Sequence, residues 1–218
     1  RRSACQIRPH NYHPRIMKKH FARLLAATVA AAAFCSFTCT AFAQADAGLI
    51  SKFLDAAKAS SDSQLGDIAT ELTGKIEAFG AALGTNSVIQ SQLDSTLKSL
   101  TGGQDSAALS SAYKLVSDAK LTPEQLGLAK QVGNLASAYV VQKNFTSLEG
   151  AQGDVATIVS SLRDGQITTA IPAVKNVATN AHLTDAQKTL ITKVADKYAP
   201  GWKKAGEALD GLKKFSGF

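Results

Sequence analysis

The side chains able to do nucleophilic, acid–base or metal chemistry are few and scattered along this chain. All three cysteines, Cys5, Cys35 and Cys39, precede residue 43, and beyond it the only histidine is His182. A transition-metal site wants several thiolates or imidazoles on one centre, and one histidine without a cysteine cannot supply them. Ser-His-Asp catalysis would have to run through His182, and no Gly-x-Ser-x-Gly elbow accompanies it. Asp67 and Glu71 share a helical face and could form a carboxylate pair. Lys75 follows Glu71 by four residues, however, in the order that favours a solvated ion-pair ladder. An enzyme built from Asp, Glu, Lys and Tyr would need Tyr113, Tyr139 or Tyr198 to meet a carboxylate in a cleft. The spacing of these tyrosines assigns them instead to core packing. The sequence therefore predicts no catalytic residue, no cofactor and no metal.

Two short motifs are absorbed by the same reasoning. Gly102-Gly103-Gln104 is the tripeptide that peptide-release factors use for ester hydrolysis, but 62 residues on the chain reads Asp164-Gly165-Gln166, which marks both as turns before a helix. Asn144-Phe145-Thr146 is a formal glycosylation sequon, expected to be unused. Charge is more informative. Lys193 and Lys197 share a face, and Lys203, Lys204, Lys213 and Lys214 crowd the end beside Trp202, Phe215 and Phe218. These six lysines form a candidate patch for an anionic surface, set against lysines that merely favour a helix C-terminal dipole.

The elements that position these residues begin after a leader. Met17 is the only methionine, and Lys18-Lys19-His20 with Arg23 precedes an apolar run from Leu24 to Phe42. A basic region, an apolar region and Ala41-Phe42-Ala43 make a cleavable export signal over residues 17–43, cut after Ala43. Residues 1–16, rich in Arg and His, are expected to be sequence upstream of the true start. The alternative, a retained anchor, is disfavoured by Cys35, Ser36, Thr38, Cys39 and Thr40 within the run. Of the 24 Lys and Arg, seven lie in residues 1–43 and no Asp or Glu does, so residues 44–218 hold 17 of each sign. Their net charge of zero excludes an overall nucleic-acid-binding balance.

Residues 44–218 read as helix throughout. Ile68, Leu72, Ile76, Phe79 and Leu83 recur at spacings of three and four, as do Leu128, Val132, Leu135 and Tyr139, and no stretch alternates with period two. Residues 93–134 laid without gaps on 155–196 give eleven identities in 42 pairs, including Gly103/Gly165, Gln104/Gln166, Leu121/Leu183, Thr122/Thr184 and Gln125/Gln187. A more divergent copy lies upstream, where Ser61-Asp62-Ser63-Gln64 matches Thr122-Pro123-Glu124-Gln125 and Phe53 matches Tyr113. Ser or Thr followed three residues later by Gln is a capping box, and Pro123 suits the first helical position.

The expected fold is all-α, about nine helices in three tandem three-helix units of roughly 61 residues, bounded at 44–103, 104–165 and 166–218. First helices are expected near 46–58, 106–118 and 169–180, second near 62–82, 123–144 and 185–198, third near 87–100, 150–163 and 202–215. Pro172 is expected to delay the seventh. Either a solenoid-like stack or a compact bundle satisfies the pattern. The functional expectation is an exported, periplasmic or extracellular, non-enzymatic binding or structural protein. Its partner would be a protein or envelope component, with no nucleic acid and no membrane-spanning segment after the leader. A helical carrier of a small apolar ligand or lipid is the alternative.

Overall fold

The apolar stripes become the buried sides of helices: Ile68, Leu72, Ile76 and Phe79 lose all exposure to solvent, as do Phe53, Leu97, Leu109 and Phe145. The structure, a computed structural model, describes residues 46–117, 120–180 and 182–198. Eight helices stand among these residues, and no strand: α1 Ala47–Lys58, α2 Ser63–Leu83, α3 Ser87–Thr101, α4 Asp105–Ser117, α5 Pro123–Phe145, α6 Gln152–Arg163, α7 Ile167–Asn180 and α8 Asp185–Tyr198. They form one compact helical unit around one core. The leader with its Ala43 cut, residues 1–16, the helix expected near 202–215, and Lys203, Lys204, Lys213 and Lys214 lie outside the described residues.

Helix α5 is the centre, packing on α2, α4, α6 and α8. Its residues from Leu135 to Gln142 are buried without a break, so it has no solvent face in that stretch. A helix surrounded by others loses its amphipathic signature, which is why Ala136, Ser137, Ala138, Val140 and Val141 join the core although they fall outside the stripe read from the sequence. Around it, α3 packs on α4 and α6 on α7, while α1 lies on α2 and α3.

Several local geometries occur twice, 62 residues apart. Thr122 Oγ1 accepts from the Gln125 amide at 3.3 Å while Gln125 Oε1 accepts from the Thr122 amide at 3.0 Å. Thr184 and Gln187 do the same at 3.2 and 3.0 Å. Each box meets two of the donors that a helix start leaves without an intrahelical partner. The glutamine amides then reach another helix: Gln125 Nε2 donates to the Ala82 carbonyl at 2.7 Å, and Gln187 Nε2 to the Asn144 carbonyl at 2.8 Å. At the ends of α3 and α6 the amides of Gln104 and Gln166 donate to Ser99 and Ser161 carbonyls, both at 2.8 Å. Gly103 (φ 69°) and Gly165 (φ 70°) make these turns, a left-handed conformation in which a Cβ would be strained.

Two sequence expectations need correction. The upstream tetrad is not capped by Ser61: α2 starts one residue later, with Asp62 Oδ1 accepting from the Gln64 amide at 2.9 Å. Asp62 also ties the helix start to the centre, its other carboxylate oxygen accepting from Gln142 Nε2 of α5 at 2.7 Å. Pro172 does not delay α7, which begins at Ile167 and carries the proline inside. The ring removes one donor, to the Thr168 carbonyl four residues back. Thr168 and Pro172 are both exposed, so the missing bond falls on a side of the helix open to solvent.

Candidate functional site

The described part of the lysine patch faces inward. Lys193 Nζ on α8 donates to the Ser106 carbonyl at 3.1 Å and to Ser110 Oγ at 2.6 Å, fastening α8 to α4. Lys197 Nζ lies 5.3 Å from the centre of the Tyr113 ring. Burial, and after it the Lys130 charge, holds the Lys197 ammonium below its ordinary range. His182 is exposed in the connection between α7 and α8. Asp67 and Glu71 are exposed on α2, and Glu71 takes a two-pronged ion pair from Arg163 of α6, Arg163 Nε donating to Glu71 Oε2 at 3.1 Å. Among the described residues no three His, Cys, Asp or Glu side chains converge.

Tyr113 and Tyr198 meet hydroxyls and an amide, while the Tyr139 phenol is raised by burial and, after it, by the Asp105 charge. Tyr113 Oη lies 2.8 Å from Ser137 Oγ, which is fully buried on α5 and donates to the Gly133 carbonyl at 2.8 Å. Tyr198 Oη is 3.2 Å from the same Ser137 oxygen and donates to Asn134 Oδ1 at 3.0 Å. The Tyr113 and Tyr198 rings stand edge to face with centroids 6.1 Å apart. Desolvation raises both phenols, Tyr113 well above its usual range and Tyr198 to about 12. The network holds its phenol protons more tightly than water does. It sets the register of α4, α5 and α8. The corresponding contact of α1 is apolar, Phe53 tilted against Tyr139 of α5 at 4.9 Å.

The arrangement with binding character lies where α4, α5 and α8 meet. Asp105, the first residue of α4, is only 7% exposed. Its carboxylate accepts from Lys143 Nζ at 3.0 Å and from Asn144 Nδ2 at 2.9 Å, both on α5. A buried carboxylate persists only when its oxygens are met in this way. Beside it opens a pocket of about 620 Å³, with Leu190 in its wall, Ala107 and Ala186 at its sides, and Asp105, Asn144 and Lys193 as polar groups. Asn144 Nδ2 also donates to the Val140 carbonyl at 2.8 Å, inside α5, so the sequon amide is committed to the fold. None of this was legible as a site, because Asp105, Asn144 and Lys193 are brought together from three helices. The one available signal was that Asn144 and Lys193 stand 62 residues after Ala82 and Gln131. A second concavity of about 580 Å³ between α2, α5 and the end of α6 holds the Arg163–Glu71 pair and Lys75.

Among the described residues no helix is long and apolar enough to cross a membrane. Comparison of the chain with protein-family models, with curated proteins and with solved structures gives no match.

Proposed function

We propose that this is an exported, non-enzymatic protein of three tandem three-helix units, acting as a binding or structural component in the periplasm or outside the cell. The observation that carries the repeat is the glutamine joint. Gln125 links the second unit's long helix to the end of α2, and Gln187 links α8 to the end of α5, with the same capping box, donor atom and type of acceptor. Matching glycine turns after α3 and α6, and matching aromatic contacts of α1 on α5 and α4 on α8, support the same division. On this reading residues 202–215 supply the ninth helix. Repeats of this type bury a continuous core by stacking, and unequal surface groups on otherwise equal units then mark where binding is added. Those groups gather at the pocket of Asp105, Asn144 and Lys193.

Export rests on the basic-then-apolar leader and the small-x-small site at Ala43. Expression of the full chain followed by fractionation and N-terminal sequencing tests it. The expected product is extracytoplasmic and begins at Gln44. Recovery from the cytoplasm with the leader intact would contradict export.

A further inference from the structure

The two glutamine joints share the bond that closes them and differ in the side chains around it. At the first joint the carbonyl acceptor belongs to Ala82, preceded by Ala81, and the place of Lys193 is held by Gln131. At the second the acceptor belongs to Asn144, preceded by Lys143, and Lys193 stands opposite. The joint closes equally well with alanines, so the charged groups are not required to close it. Asn144 and Lys193 line the open pocket of about 620 Å³ together with Asp105, to which Lys143 is bonded.

We propose that this pocket binds a small amphipathic monoanion, an aliphatic carboxylate whose chain lies on Leu190, Ala186 and Ala107 and whose head meets Lys193. This deepens the binding role proposed above and rests on the repeat reading for the comparison of joints. The charged groups of the lining are Asp105 and Lys193; Lys143, outside it, pairs with Asp105, which leaves the Lys193 charge to favour an anion. Both Asp105 oxygens already accept bonds, from Lys143 and Asn144, which compensates the carboxylate that would otherwise repel such a head. An ammonium carries three donors. Lys193 uses two of them on Ser106 and Ser110, which hold Nζ in place and leave a third. A pocket with an apolar wall and one fixed cation discriminates by head charge and chain length together.

The test is a titration of the uniformly ¹⁵N-labelled protein with sodium hexanoate, hexanol and sodium acetate, followed by backbone amide shifts. Hexanoate is expected to give saturable shifts centred on Ser106, Ala107 and Leu190, with at least tenfold weaker binding of hexanol and of acetate. Lys193→Gln should reduce hexanoate to the level of hexanol, and Lys193→Arg should restore part of the difference. Ala186→Leu fills the pocket from an exposed position on α8 without touching Lys193, and should block hexanoate even if Lys193→Gln unsettles the α4–α8 contact. Equal binding of hexanoate and hexanol, or hexanoate binding unchanged in Ala186→Leu, would overturn the proposal. Such a result leaves the glutamine joints untouched, since export and the repeat are read by other experiments.

Discussion

Phe53→Ala is expected to lower the unfolding free energy by about 3–5 kcal/mol, the usual cost of emptying a fully buried aromatic site. Phe53 has no solvent exposure, and its ring lies against Tyr139 with centroids 4.9 Å apart. Part of the loss is the apolar area of the side chain, and part is the cavity that α1, α2 and α5 cannot close by moving together. For a domain of this size each kcal/mol corresponds to roughly 2–4 °C in melting temperature, so a fall of about 6–20 °C should follow. The ring joins the first helix to the central one, so the loss should appear in a single urea transition with unchanged slope. A separate early transition confined to α1–α3 would show that these helices fold independently, contrary to the continuous core described above.

Alkaline pH is expected to produce the second large effect. A free tyrosine ionises near pH 10, whereas burial pushes Tyr198 up to about 12 and Tyr113 upward with it. The folded protein therefore keeps protons that the unfolded chain releases, and stability falls as pH rises. The contribution of Tyr198 is fully present below about pH 10 and is lost as pH climbs through about 12. The gap between those two ionisation points corresponds to roughly 2–3 kcal/mol from this residue alone. Urea midpoints measured at closely spaced pH values should fall across that window, and Tyr198→Phe should flatten the fall while weakening the protein at neutral pH by the lost bond to Asn134. A slope unchanged by Tyr198→Phe would remove Tyr198 as the cause.

The helices could be read from the sequence because their signals are local. The stripe from Ile68 to Leu83 follows from helical spacing alone, and Thr122 with Gln125, or Thr184 with Gln187, marks a start within four residues. What escaped depends on distant partners. Ser61 and Asp62 are both good caps by residue type, and Asp62 also bonds Gln142, 80 residues away. Pro172 is tolerated inside α7 on an exposed side of the helix, which is a property of packing. Lys193 read as a free surface charge, yet its bonds go to Ser106 and Ser110 on a helix more than 80 residues earlier. No short motif contains the pocket, since its walls come from α4, α5 and α8.

The repeat is the claim on which the function reading depends, and adding a unit tests it most directly. A chain carrying a second copy of residues 104–165 between Gly165 and Gln166 would meet the same glycine turn and offer the same carbonyl acceptor to the next glutamine. Helical circular dichroism per molecule is expected to rise by the share of one unit, and the longer chain to unfold in one cooperative transition at no lower temperature. Unchanged helicity per molecule, with the inserted segment digested first by protease, would show that the helices close into a single bundle with no place for a fourth unit.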